Sequence, residues 1–522
     1  MWTGVSAQGG SPAAKSQFRW ARYGNALGGV DMMTGRKLFA GLLFCSFRLA
    51  AQTDSAVLAR LLEQVTQMNS QVANLANQLN DSRRESDELR RELAALRQEV
   101  NALRAAPSSL PAPAPEQALA LEEERQLLEA KVDDQYQTKV ESSSKYRVKL
   151  SGMVVANVFS NQGSVDQLEL PGQVEPRSPG ESKGSFGASV RQSIFGLDVD
   201  GPTLWGARTH GDVRVDFFGG LPPTGEGALS GIVRLRTANF KLEWANHSVT
   251  VGQDVPFISP LNPTSLASTA YPAFYYSGNI WNWTPQIHND HRFTVAPATQ
   301  IELQWGVMNP LTGDNLANPQ ERRPNAGEQG RMPAYAARLG LKRNPGARQA
   351  TAGVGAYYSR QRWGYTRRAD AWAATADWDL PFARWFALSG ELYRGRAMAG
   401  LGGGLSSSVL LNGALDSPAT SVLPTDTAGG WTQLKFKPLQ KIEFNGAFGG
   451  DFPFSNPRRT GYFAIAGEGS QPFRNTSGMA NVIVQPRTNL LFSLEYRKLW
   501  TSPFDAPQRR ASHISLGAGI LF

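Results

Sequence analysis

The sequence predicts an all-β protein, a 16-stranded antiparallel transmembrane β-barrel preceded by an N-terminal α-helical coiled coil. Three observations carry that expectation. From residue 146 onward, segment after segment alternates apolar and polar side chains with the two-residue period of a strand. The connections between these segments alternate between short and long. Ahead of them, residues 58–103 keep a seven-residue apolar repeat.

Composition agrees with a barrel without proving one. The chain has 522 residues, 41% hydrophobic, with 52 glycines and 10% aromatics. Its mean hydropathy of -0.33 resembles that of a soluble protein. A transmembrane barrel gives such averages because lipid-facing and lumen-facing residues alternate along every strand. No segment reaches the ~20 apolar residues of a helical span. The net charge of +9 is spread over many segments, not gathered into a stripe or a nucleic-acid-binding motif. Cys45 is the single cysteine, which excludes a disulfide framework and a cysteine-based metal cluster.

In chain order, residues 1–31 fit no export segment and read as a mis-assigned extension, with Met32 or Met33 as the start. Residues 32–51 read as a signal peptide: a basic Arg36-Lys37 pair, an apolar run from Leu38 to Phe47, and small Ala50 and Ala51 before Gln52. Residues 54–105 form the predicted coiled coil, with apolar seams such as Leu58, Val65, Val72, Leu79 and Leu61, Met68, Leu75. A single helix cannot bury that seam, so self-association is expected. Residues 106–144 are a linker, stiffened by Pro107, Pro111, Pro113 and Pro115, followed by a short helix.

The barrel is expected over 145–522, with strands near 146–158, 189–199, 204–217, 231–244, 247–255, 283–296, 299–308, 334–343, 350–359, 369–380, 384–395, 428–437, 440–450, 474–486, 488–499 and 511–522. In the first, Val148, Leu150, Val154 and Val158 share one face, opposite Arg147, Lys149, Ser151 and Asn157. In the third, Val213, Val215 and Phe217 oppose a row of charges. One face needs lipid and the other water. The chain ends on Ile514, Leu516, Ala518, Ile520 and Phe522, a strand face closed by an aromatic.

This ending resembles the closing strand of bacterial outer-membrane barrels, and the resemblance implies that Phe522 is part of the barrel-closing signal read by the insertion machinery. Residues 33–522 as a whole resemble the general outer-membrane porins. Lys145-Tyr146-Arg147-Val148-Lys149-Leu150-Ser151-Gly152 resembles the first strand of the DcaP-like and phosphate-selective porin group, some members of which carry a periplasmic coiled coil. Val233-Arg234-Leu235-Arg236-Thr237-Ala238, Val251-Gly252-Gln253 and Thr284-Pro285-Gln286-Ile287 resemble its fourth, fifth and sixth strands. The resemblance implies a homotrimer in the outer-membrane lipid bilayer, one pore per protomer, with the coiled coil in the periplasm.

Sixteen strands enclose an aqueous lumen. Alternation turns Arg208, His210, Asp212, Arg214, Asp216, Arg234, Arg236, Glu302, Arg338, Lys435, Glu443, Glu495 and Arg497 inward as a mildly basic pore lining. Such a wall favours small hydrophilic anions unless opposed charges on adjacent strands pair and cancel. The loop 256–278, with Phe274, Tyr275 and Tyr276, is the expected constriction. No cofactor, metal site or catalytic set is expected. His288 and His291 face opposite sides of a strand, and Gly400-Leu401-Gly402-Gly403-Gly404 lacks the context of a phosphate cradle and reads as a flexible loop. A second function is a structural tether, the helix reaching about 70 Å toward the cell wall.

Overall fold

The computed structural model describes residues 147–221, 231–313, 322–344, 348–454, 462–464, 472–503 and 506–522. The extension, signal peptide, coiled coil and linker expected over 1–144 lie outside the described residues. Val409–Leu411, Val422–Pro424 and Phe463–Ala464 pair as a separate three-stranded sheet, while the long described strands form one closed barrel. In chain order they are β1 (Arg147–Gln162), β2 (Gly184–Ser189 and Ile194–Asp200), β3 (Arg208–Asp216), β4 (Arg234–Glu243), β5 (His247–Asp254), β6 (Thr284–Ala296), β7 (Thr299–Met308), β8 (Ala334–Arg343), β9 (Ala350–Arg362), β10 (Arg368–Pro381), β11 (Phe386–Arg396), β12 (Asp426–Leu439), β13 (Ile442–Pro453), β14 (Pro472–Arg487), β15 (Leu490–Pro503) and β16 (Arg509–Leu521). Both pieces of β2 pair with β1, so they count as one interrupted strand and the described barrel has sixteen.

Every strand pairs antiparallel with its sequence neighbours, and β16 closes on β1 from Met153↔Leu521 to Gln162↔Ser512. Phe522 completes the seam through reciprocal backbone hydrogen bonds with Gly152 of 2.9 and 3.1 Å. The register is offset along β1. Val154, Ala156 and Val158, not Val148 and Leu150, lie beside Ile520, Ala518 and Leu516. Val148 and Leu150 extend past the chain end and pair with Val199 and Leu197.

Outward positions carry large exposed apolar side chains, among them Leu150, Val213, Ile287, Leu339, Val354, Leu392 and Ile514. Exposing such a surface is favourable only in lipid. Towards the short-turn end Phe382, Phe386, Phe436 and Phe444 stack side by side across strands, with centroids 5.9, 4.7 and 6.0 Å apart. Aromatic rings are favoured at such a boundary between lipid and water.

One irregularity sets the inner wall. The β3–β4 pairing shifts between Arg214 and Val215, inserting one extra residue into β4 at Arg236. Such a bulge reverses the alternation beyond it. Arg234 and Arg236 therefore both point inward, but so do Asn239, Lys241 and Glu243, while Phe240 is exposed on the outer face. Strict alternation would have placed Phe240 inside.

The upper half of the lumen, towards the long loops, is packed. The loop 255–283 lies against the inner wall, and its Phe257, Ile258 and Ile280 form a buried core with Ala334, Ala336, Tyr357, Ala371, Ala373 and Tyr393 of β8 to β11. The glycine-rich segment read as a flexible loop belongs to this core. Leu401 is buried in it, the Leu401 carbonyl accepts from Trp281 N, and Asn282 Nδ2 donates to the Gly400 carbonyl at 2.8 Å. Burial of Leu401 and Met398 outweighs the conformational freedom of the neighbouring glycines.

Candidate functional site

The candidate site is the lumen and the inner loop that coats it. The loop 255–283 is anchored strand by strand. Ser259 Oγ and Leu261 N both donate to Glu391 of β11 at 2.7 Å, and Thr375 of β10 donates to the Ile258 carbonyl. Thr264 N donates to Gln433 of β12 at 2.7 Å. Ser265 donates to Glu495 of β15 at 2.5 Å, and Arg497 donates to Ser268 at 2.5 Å. Thr269 and Ala270 then reach Gln192 through their backbone N–H groups. Arg236 and Arg234 of β4 donate to the carbonyls of Thr269 and Ala270 at 2.6 and 3.0 Å. The loop is thus a belt on the inner wall, tied from β10 round through β16 to β4.

The belt changes the meaning of several inward charges. Glu495 and Arg497 are fully buried beneath it, paired at 2.7 Å. Asp216 is fully buried, and Glu302 and Arg338 nearly so. These five act as structural anchors and do not line open water. Phe274 and Tyr275 are likewise buried, not aimed across the lumen. Phe274 packs on Trp431 and Met479, in a left-handed backbone conformation (φ 65°) that an L-residue adopts only when its surroundings enforce it. Four residues on, Gly278 also has positive φ, and a Cβ there would lie 2.3 Å from the backbone of Gly430. Tyr276 is half-buried, and its carbonyl accepts from Asn475 Nδ2 at 2.8 Å.

Tyr275 joins the belt to the loop 163–183. Its hydroxyl lies 2.9 Å from Asp166 Oδ2, whose Oδ1 accepts from the N–H groups of Gly172 and Gln173 at 2.9 and 3.0 Å. Burial pushes Asp166 up to about 6 and raises Tyr275 well above the ordinary phenol range. Because the folded value for Asp166 exceeds 3.8, the folded chain binds more protons between these values, and its stability falls as pH rises through that window. Asp166→Asn removes the titration. Its stability relative to wild type should rise by up to ~3 kcal/mol between pH 4 and 7. Thermal or urea midpoints of both proteins across that range check this; a constant difference would contradict it.

Below the belt the lumen opens. Along β3 the inward side chains grow steadily more exposed toward the short-turn end: Asp216 0%, Arg214 30%, His210 39% and Arg208 81%. These charges are paired across strands. Arg214 lies 2.6 Å from Asp198, His210 2.9 Å from Asp200, Arg208 3.0 Å from Glu243, and Lys435 3.3 Å from Glu443. Asp212 completes the row. At the short-turn mouth Gly206, Arg208, Glu243, Trp244, Ala245, Arg292 and Gln300 line a cavity of about 550 Å³.

At the level of Asp216 three guanidiniums meet. Arg234 grips Asp216 through Nε and Nη2 at 3.1 and 2.7 Å, and Arg236 approaches it at 3.6 Å. Arg191 donates twice to Glu169. Rings cover them: Arg191 lies 4.6 Å from Phe218, Arg234 4.4 Å from Tyr271 and Arg236 4.9 Å from Trp283. Three cations share two carboxylates, leaving one positive charge in excess. Alternation found Asp216, Arg234 and Arg236. It missed Arg191, Glu169 and the aromatic partners, which lie in loops or in the break of β2, where no period operates.

No family model matches the chain, and no curated protein matches its sequence. Solved structures do. The outer-membrane channel DcaP of Acinetobacter baumannii matches with a TM-score of 0.52 and 16% identity, over 73% of this chain and 99% of that one. The chain shares the sixteen-stranded antiparallel barrel fold of that structure. An anion-selective porin from Comamonas acidovorans is similar at TM-score 0.45 and 11% identity, over 72% of this chain and 100% of that one. OmpT of Vibrio cholerae is similar at TM-score 0.41 and 10% identity, over 73% and 99%.

Proposed function

We propose that this chain is an outer-membrane porin, a water-filled diffusion channel for small hydrophilic solutes with a weak preference for anions. The observation that carries the reading is the two-sidedness of the barrel: an outer surface of exposed apolar side chains with stacked aromatics, and an inner wall of paired charges that widens below an anchored belt. Apolar outside and ionic inside is the arrangement of a barrel in lipid with water in its lumen. Pairing across strands cancels most of the lining charge, which argues for low selectivity. The excess positive charge of Arg191, Arg234 and Arg236 gives its sign.

In this reading the belt 255–283 narrows the lumen, and the long loops face outside while both ends of the barrel lie in the periplasm. Residues 32–51 direct export, and the insertion machinery reads the strand ending in Phe522. Residues 54–105 hold a homotrimer together from the periplasmic side. Planar-bilayer recording of the purified protein tests the function. Open-channel steps are expected, with a small reversal potential in a salt gradient whose sign indicates anion flow. Absence of steps would overturn the channel, and a cation-directed potential would overturn the preference.

A further inference from the structure

We infer that the outer rim of β9 to β11, at the long-loop end, binds phosphate-bearing lipid headgroups of the outer leaflet. This rests on the outer-membrane reading and adds a lipid partner to it. Even-numbered residues of these strands face outward. On β9 and β10 the cross-strand pairs run Tyr358↔Trp372, Arg360↔Asp370 and Arg362↔Arg368. The first is aromatic, the boundary of the apolar surface carried lower down by Val354 and Ala374. In the second, Asp370 is taken up by Arg360 at 3.5 Å and by the Tyr358 hydroxyl at 3.0 Å. The third sets two exposed guanidiniums directly opposite each other, and among the described residues neither has an ion-pair partner.

Like charges directly opposite on a sheet destabilise it. The next strand does not relieve them. On β11 Arg394 and Arg396 share Asp426 at 3.6 and 3.1 Å, and Arg394 stands over Trp372 at 5.6 Å and Phe454 at 4.7 Å. Five arginines on three adjacent strands thus face two carboxylates. The other half of the barrel differs: among the described residues, the outward positions of β1 to β8 in the long-loop half carry no charge.

The charge pattern specifies the occupant. A phosphate offers several acceptor oxygens and can bridge the two guanidinium forks of Arg362 and Arg368, for which no carboxylate stands by among the described residues. Its position just above an apolar band with an aromatic edge calls for a ligand whose tail lies in the band and whose anionic head lies at the rim, which a free ion lacks. An outer-leaflet lipid with a phosphorylated head has that shape.

Native mass spectrometry of the full-length protein in detergent, titrated with diphosphorylated lipid A and separately with inorganic phosphate, tests the inference. Wild type should retain the lipid, and phosphate at millimolar concentration should not displace it. Arg362→Gln with Arg368→Gln should weaken retention on the order of tenfold. Arg343→Gln, at the short-turn end of β8, should leave it unchanged. Heat-modifiable migration on gels confirms that each barrel is folded. No lipid retention, equal retention by the double variant, or displacement by inorganic phosphate would overturn the proposal. The double variant should conduct normally in bilayers, so loss of lipid binding with intact conductance separates this inference from the porin reading.

Discussion

Glu391→Ala is expected to release the inner belt at its first anchor and enlarge the channel. Glu391 is buried, and its two oxygens accept from Ser259 Oγ and Leu261 N at 2.7 Å and from Trp431 Nε1 at 3.3 Å. Alanine leaves three buried donors without an acceptor and opens a void beside Trp431. Each orphaned donor costs on the order of 1–3 kcal/mol, so the local loss is several kcal/mol. The barrel ladders are untouched, so the loss should appear in the belt and not in the fold. The expected result is faster protease cleavage within 256–269, higher single-channel conductance and greater open-state noise, with unchanged heat-modifiability. Glu391→Gln keeps one acceptor and turns the other into a donor, so it should fall between. Wild-type conductance and cleavage in the alanine variant would show that the belt is held elsewhere.

Glu391 also marks where sequence reading stops. The barrel was legible because its cause is local: each strand must show one face to lipid, and a two-residue period records that necessity along the whole chain. The sixteen segments, their order and the closing role of the C-terminal strand follow from it. Which inward residues meet water does not. Glu495 and Glu443 are both inward on neighbouring parts of the wall, yet one is sealed under Ser265 and the other stays partly exposed beside Lys435. The difference lies in a loop more than two hundred residues away from Glu495, and no period connects them. The bulge at Arg236 is illegible for a related reason. It depends on Asp216 and on the carbonyls of Thr269 and Ala270, which draw both arginines to one side. Gly517 and Gly519 of the C-terminal strand make room for Leu266 of the belt, a contact no two-residue period records.

Arg338→Ala should destabilise the described wall strongly. Arg338 of β8 donates through Nε and Nη2 to both oxygens of Asp377 on β10, at 2.8 and 2.6 Å, across the intervening β9. It also donates to Gln304 at 3.0 Å and lies 3.9 Å from Glu302. The guanidinium can cross β9 because residue 353 is glycine; a Cβ there would lie 2.4 Å from its Nη2. Both partners are buried, so removing the arginine strands the Asp377 carboxylate in a site where, among the described residues, no other cation is in contact. Breaking a buried pair from one side costs about 3–5 kcal/mol, because the remaining charge keeps its desolvation cost without compensation. Arg338→Met together with Asp377→Leu removes both charges at similar volume and should recover most of that loss. Arg338→Met alone keeps the volume but still strands the carboxylate, so it distinguishes an electrostatic cause from a packing one. If Arg338→Met is as stable as the double variant, the cost of Arg338→Ala comes from lost volume over Gly353 and not from the stranded carboxylate. Glu302 keeps Lys342 at 2.9 Å in every variant, so the effect belongs to Asp377.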